Sequence, residues 1–545
     1  IRQIMVSNEE VSKAIVNLSA QEIYASETVN GIANKAGSQQ FFYGNPAYHK
    51  IYLKKLAQIT PKDLLRVAKK YLKKNLMSVT LLAPQADAHI KKAAQNFIRD
   101  FDLSNKTLKA PLKQVSSKEK NQARKMVAGL DVAPKAKAAT NATHRYETAG
   151  GMRVLVRPMK DTPLVSARIA FLGGARLAGY GRPGLAELAS RCWSGGTEVR
   201  DEIKIAQETE AIASGLGMMA GRNTLSMNAD YLAKFEEPAC DLMGDVLLNA
   251  NFPSSILDRE REIQLNQIKN KVDNPTQLAS LEFLKLMFEG DTYAQDVLGD
   301  PQNLNLYSSR DLLDFKTKSL YANGGIAVIA GAADPDVWLK RLEMWEQAMG
   351  KKSNAADRVE LKPLTRSRHH FISLDKEQSH LILGYRGLAV NSSERFVMDL
   401  LQSILAGQGG RLFMELRDKE SLAYSVSPMA MKGLGGGYFG GYIACSPEKV
   451  TKARDLMVRE FEKMATTLVP EDELMRSKRY LVGSHDIDLQ RNSAISSAIL
   501  FDEIYGNDSD LNFKVKDVYW NITAEQVRAL AKKIFSGPSV SVVAG

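Results

Sequence analysis

One short order of elements is written twice in this sequence, and that repeat limits what the chain can fold into more than any other feature. Near the start the chain reads NEEVSKAIVNL, then FFYGNPAY, LAQITPKDLLRVAKKYL and LMSVTLLAP. Near the end it reads EDELMRSKRYL, then EIYGNDSD, VYWNITAEQVRALAKKIF and SVSVVAG. The offset is nearly constant: 462 between Tyr43 and Tyr505, and 463 between Thr60 and Thr523. Each copy predicts an acid-started helix, a Tyr-Gly-Asn turn, a Thr-capped helix ending in lysines and a β-branched strand.

Two halves of one design are therefore expected, with the first represented by its tail. Val6 aligns with Val469 while the second half begins near His144, so about 325 residues of the first half are expected upstream of about residue 6. The expectation is a fragment, with residues 1–103 as the end of the first half. Residues 104–143 carry 9 basic against 2 acidic residues among Ala, Ser and Pro, a linker composition. From 144 onward the alternating runs RYETAGGMRVLVRP and LVSARIAFLGG predict strands, and PGLAELASRC, DEIKIAQETEAIAS, FEEPACDLMGDVLLNA and SSILDREREIQLNQIKNKV predict helices. A second set follows, with strand SHLILGYRG, helix SERFVMDLLQSILAG and strands around LAYSVSP and YFGGYIACS. Sheets covered by helices in two similar units, 144–355 and 356–545, make an α+β architecture.

Composition excludes some classes. With 545 residues, 44% hydrophobic and 25% charged, the chain can bury large cores. No run approaches the ~18 to 20 apolar residues of a membrane span, and no signal peptide is visible. Because residue 1 is Ile, the natural start can lie upstream, and localisation, periplasmic or cytoplasmic, stays open. Three cysteines give no disulfide framework. The net charge of +11 sits at the front: residues 1–143 hold 24 Lys and Arg against 10 Asp and Glu. Few aromatics interleave with these lysines, so a solvated helix face and linker is a better reading than a nucleic-acid surface.

The stretch GLAELASRCWSGGT, residues 184–197, resembles the signature of peptidase family M16, the pitrilysin, insulinase and processing-peptidase group. There Gly-Leu-Ala is followed by His-x-x-Glu-His and then Gly-Thr. In active members the two histidines bind zinc from one helix face and the glutamate activates water. This sequence has Glu187, Ser190 and Arg191 at those places. The family's third ligand, a glutamate about 76 residues on, falls at Gln267 in a helix resembling DREREIQLNQI. Neutral Ser and Gln and a permanent Arg cation cannot replace imidazole and carboxylate, so no zinc is expected in this chain. Glu187, Arg191 and Glu260 are expected in a polar or ion-paired network, and Cys192 as a small core residue.

The run GGRLFMELRDKESLAYSV, residues 409–426, is similar to the family motif in which an arginine and a tyrosine seven residues apart assist the active site from the second half. Arg417 and Tyr424 fit its spacing. The resemblance implies a repeated mixed or antiparallel sheet fold and two bowl-like halves enclosing peptides or unfolded proteins. It implies a zinc site in the missing first half or in an active partner subunit. This chain would then be the non-catalytic, C-terminal portion of a zinc metalloendopeptidase, inactive alone; the alternative is a catalytically dead scaffold or partner subunit. Gly435, Gly437 and Gly440 have a G-x-G-x-x-G spacing but lie in no strand-to-helix turn, and predict a turn and a strand in close backbone contact. His369, His370 and His380 lack helix spacing or an acidic third ligand.

Overall fold

The computed structural model describes residues 5–73, 142–159, 162–350 and 361–545, with scattered positions between 76 and 96. The expected linker at 104–143 and closing strand LMSVTLLAP lie, but for a few positions, outside the described residues. Two compact units result, residues 1–132 with 210–213, and residues 133–209 with 214–545.

In the first unit, α1 (Asn8–Tyr24) opens on a capping box: Glu10 N donates to Ser7 Oγ at 3.1 Å and Ser7 N to Glu10 Oε2 at 2.7 Å. Helices α2 (Val29–Tyr43), α3 (Tyr48–Leu56) and α4 (Pro61–Tyr71) follow. Thr60 and Asp63 form a second capping box at α4. Val11, Ile15 and Leu56 form a small core with Val6, Leu53 and Leu64 against it. Helix α2 buries no residue.

The second unit holds two mixed sheets. The first contains β1 (His144–Glu147), β2 (Arg153–Pro158), β3 (Leu164–Leu172), β4 (Gly215–Ala220), β5 (Thr224–Leu232) and β6 (Ile326–Gly331), in the order β1-β2-β6-β3-β5-β4. Its pairings are antiparallel except for β2 with β6. The second contains β7 (Arg368–Ile372), β8 (Ser379–Gly387), β9 (Ala423–Met431), β10 (Gly437–Cys445) and β11 (Ser539–Ala544), in the order β7-β11-β8-β10-β9. Here β11 with β7 is the parallel pair. The α+β class with mixed sheets under helices is thus observed.

The helices that position the site are α5 (Leu185–Cys192), α6 (Glu236–Asn249), α7 (Ser254–Val272) and α8 (Pro275–Met287). Further along come α9 (Arg395–Leu405), α10 (Val450–Thr466), α11 (Glu471–Asp488), α12 (Asn492–Ile504) and α13 (Ala524–Phe535). Two of these cross over. Helix α8 leaves the first strand set and puts Ala279, Phe283 and Met287 onto Ile382, Val540 and Val542 of the second sheet. Helix α12 returns the arrangement, setting Ile495, Ile499, Leu500 and Ile504 on Leu155, Ala170, Ile326 and Val328 of the first. Each large apolar side chain buried this way contributes roughly 1.5 to 3 kcal/mol. Polar groups fix the register of α12: Asn492 Nδ2 donates to Leu164 O at 3.2 Å, Ser166 Oγ meets Ser496 Oγ at 2.9 Å, and Arg153 Nη1 reaches Glu503 Oε2 at 3.1 Å. β3 is buried along nearly its whole length because helices cover both faces of its sheet, which explains its near-continuous apolar sequence.

The start of α6 makes stability pH-dependent. Glu236 Oε1 accepts from Trp338 Nε1 at 3.1 Å and from Asp334 N at 3.2 Å, yet burial pushes its carboxyl up to about 7. A raised folded value means that its stabilising contribution is full below about pH 4.5 and is lost as pH rises through about 7. Denaturant titration should therefore show a decline between pH 5 and pH 8 that Glu236→Gln reduces, by on the order of 2 kcal/mol. Identical slopes in the two proteins would contradict this assignment.

Candidate functional site

Helix α5 begins where two backbones touch. Gly184 has φ +83°, and a Cβ there would stand 2.6 Å from Leu298 O. Gly299, at φ +76°, faces Pro183 O in the same way. Buried Gln264 of α7 clamps both strands of this contact, its Nε2 donating to Leu298 O at 2.8 Å and to Gly184 O at 3.2 Å. The clamp fixes α5 against α7, one helical turn before Gln267.

On α5, Glu187, Ser190 and Arg191 stand at i, i+3 and i+4 and share one face. Arg191 Nε donates to Glu187 Oε1 at 2.7 Å, and Arg191 Nη2 donates to Gln267 Oε1 at 2.8 Å. Ser190 Oγ turns back to Glu187 O at 2.8 Å. The sequence positions Glu187, Arg191 and Gln267 are thus joined through one guanidinium, half-buried between the two helices. These residues do not fit zinc: the set offers one carboxylate already paired with a permanent cation, one amide, one hydroxyl and no imidazole. Among the described residues, no group of three or more His, Cys, Asp or Glu could hold a metal ion. Glu260 stands apart in an exposed network, accepting from Arg259, which also holds Glu202. Cys192 is fully buried, and burial pushes its thiol up to about 12, so it is protonated core.

Arg417 lies on irregular backbone. Residues Phe413–Lys419 wind as a π-helix, and the half-buried Arg417 guanidinium sits 4.5 Å from the Phe413 ring centre. Two residues past the π-helical stretch, Ser421 has φ +48°. β9 then starts with Ala423 opposite Cys445 and Ser425 opposite Ala444, so Tyr424 is the extra residue of a β-bulge. Such π turns and bulges gather at functional sites.

Other sequence candidates resolve into packing. The 433–437 turn closes over Tyr293: Leu434 N donates to Tyr293 OH at 2.7 Å, and a Cβ at Gly433 would lie 2.7 Å from that oxygen. Gly440 faces Gly384 across β8 and β10, and Gly384 leaves room for the Phe283 ring. His369 Nδ1 meets Ser541 Oγ at 2.7 Å, while His380 Nδ1 lies 2.9 Å from both Thr276 Oγ1 and Tyr442 OH. Sequence reasoning did not find the set around Asp245, which accepts from Thr197 Oγ1 at 2.8 Å and Arg200 Nη1 at 2.7 Å. Thr197 closes the GLAELASRCWSGGT stretch, and its place in Gly-Gly-Thr before an Arg was the signal available.

Comparison with known proteins finds similarity to one family. Residues 308–481 match the model of the peptidase M16 inactive domain. An uncharacterized zinc protease of Rickettsia bellii is 24% identical over 409 residues, covering 72% of this chain and 95% of that protein. One of Mycobacterium tuberculosis is 25% identical over 404 residues, covering 73% and 92%. The crystal structure of a peptidase M16 inactive domain from Pseudomonas fluorescens superposes with TM-score 0.69 at 23% identity, covering 74% of this chain and 98% of that one. A protease from Helicobacter pylori gives TM-score 0.68 at 14% identity, covering 74% and 100%. With the α5 stretch and the fold, these matches make the chain similar to proteins of peptidase family M16, and its residues 308–481 similar to that family's inactive domain.

Proposed function

We propose that this chain is the non-catalytic portion of an M16 zinc metalloendopeptidase, enclosing peptide or unfolded-protein substrates and lending Arg417 and Tyr424 to a zinc site on another unit. That unit is an N-terminal half outside residues 1–545 or an active M16 subunit. The observation that carries this reading is the seat of Arg191, whose guanidinium bridges Glu187 and Gln267 where two helices would have to converge on a metal. A fixed cation there repels a divalent ion, so catalysis must come from elsewhere.

The chemistry asked of the pair is modest and specific. A guanidinium can hold a substrate carbonyl or carboxylate with two parallel N–H groups, and a phenol can donate to an oxyanion as it develops. An open groove on α7 and α8, lined by Tyr180, Ile268, Lys271, Leu281, Leu286 and Asp296, offers an apolar wall with charged edges, which suits a peptide.

In the assembled enzyme, Arg417→Ala or Tyr424→Phe should lower kcat by roughly 100- to 1000-fold while zinc content stays unchanged. Steady-state kinetics on a quenched fluorescent peptide, with metal analysis of the same samples, reads both quantities. Unchanged turnover would remove the assisting role and favour the scaffold reading.

A further inference from the structure

The two sheets share one pattern, but the second has a strand fewer. In the first, β2 runs parallel to β6, and β1 covers the outer side of β2 as an antiparallel strand. In the second, β7 runs parallel to β11 in the same way, and among the described residues no strand pairs with its outer side. Gly545, just past β11, bonds to Ile372 O and Leu374 N, which turns the backbone groups of those two residues inward. The alternation along a strand then leaves the N–H and C=O of His369 and Phe371 facing out. β7 has no proline, lysine or bulge, the usual devices that keep such an edge from pairing. A cavity of about 330 Å³ lies between β7, β11 and the first turn of α10, lined by His369, Phe371, Ser541, Val543, Val450 and Arg454 among others. Phe371 is 60% exposed. No acidic residue is among those that line the cavity, and residues 366–371 read RSRHHF, with Arg366, His369 and His370 exposed.

We propose that the β7 edge is a docking site for an extended acidic segment of another polypeptide, which adds to the second sheet as an antiparallel strand, as β1 does on β2. The outward groups of His369 and Phe371 supply the backbone bonds, and every second side chain of the added strand enters the cavity beside Val450 and Val543. Its carboxylates meet Arg366 and Arg454. The pair that Arg454 makes with its neighbour Asp455, at 2.9 Å, is exposed and worth little, so the guanidinium is available for exchange. A second copy of this chain is a poor occupant, because two β7 edges paired with each other would set RSRHHF against RSRHHF and bring like charges together. The edge lies across the sheet from β9, where Tyr424 stands, so this docking is separate from the proposed assisting pair and does not depend on it.

The test titrates the full chain against a short fluorescein-labelled peptide that alternates Glu and Val, read by fluorescence anisotropy at about 0.15 M salt. The expected result is saturable binding with Kd below ~100 µM. N-methylation of the peptide amides, or Lys in place of Glu, should each weaken binding by roughly tenfold or more. In the protein, Phe371→Pro removes an outward N–H where an edge strand tolerates proline, and Arg454→Glu reverses a charge on the cavity. Each should weaken binding to a similar extent, whereas Lys318→Glu, an exposed reversal in the first strand set, should leave it unchanged. If Phe371→Pro fails to fold, the N-methylated peptide and Arg454→Glu still decide. An N-methylated peptide that binds as well as its parent would reduce the contact to charge alone and overturn strand addition. No binding, or binding indifferent to both variants, would overturn the site. Sedimentation of the unliganded chain reads the other occupant: a dimer that Phe371→Pro dissolves would assign the edge to a second copy and overturn the acidic partner.

Discussion

Changing Glu187 and Arg191 to His, and Gln267 to Glu, should give a chain that binds one zinc ion at a place where the natural residues do not fit zinc. The backbone needed is already present. Positions 187 and 191 are one helical turn apart on α5, and the existing bond from Arg191 to Gln267 shows that position 267 on α7 reaches the same point, at 2.8 Å. The Gln264 clamp, one turn earlier, holds the two helices together whatever stands at 267. Two imidazoles on one helix face and a carboxylate from a second helix make a zinc site with an open position. The three substitutions also remove the cation that repels the ion. Protein zinc sites reach apparent binding energies on the order of 10 kcal/mol, so the expected change is from no uptake to stoichiometric uptake. Equilibrium dialysis with metal analysis checks this, with Arg191→Ala as a control that should stay zinc-free. Ser190 remains in place of the general base, so the metal-loaded variant should hydrolyse peptides poorly. Failure of the triple variant to take up zinc, while it remains folded, would show that these positions are not a degenerate metal site.

The second large effect belongs to adjacent glycines that look interchangeable in sequence. A Cβ at Gly440 would lie 2.1 Å from Leu383 O and 2.6 Å from Gly384 Cα, so the clash is with the backbone of the paired strand. A Cβ at Gly441 meets Met457 Sδ at 2.7 Å and Phe461 Cζ at 3.4 Å, and a methionine side chain can move aside. Gly440→Ala should therefore cost about 3 kcal/mol or more, or prevent folding of the second sheet, whereas Gly441→Ala should cost about 1 kcal/mol. Thermal unfolding of the two variants separates them. Equal losses would mean that β8 and β10 do not approach at these residues as described.

How far the sequence could be read depended on the range of the interaction involved. Local devices were legible: Thr60 and Thr523 both cap helices through capping boxes, and Gly44 and Gly506 both take the left-handed conformation that the Tyr-Gly-Asn turns suggested. The choice of Gln267 came from a spacing carried over from a family, and the structure joins that residue to Arg191. What composition and periodicity could not show was which sheet each helix would cover. α8 and α12 are apolar segments next to their own strands in sequence, yet each packs on the other strand set, a choice made by distant partners such as Gly384 beneath Phe283. The π-helix at 413–419 and the bulge at Tyr424 were also hidden, since one extra residue in a turn or strand leaves no signature in residue type.

The claim that catalysis lies outside this chain is tested most directly by measuring zinc content and peptide turnover in three samples: the chain alone, a partner M16 unit bearing His-x-x-Glu-His alone, and the two together. The account predicts neither zinc nor turnover in the chain alone, zinc in the partner, and turnover that rises on mixing in proportion to complex formed. Zinc-dependent hydrolysis by the purified chain alone would contradict it.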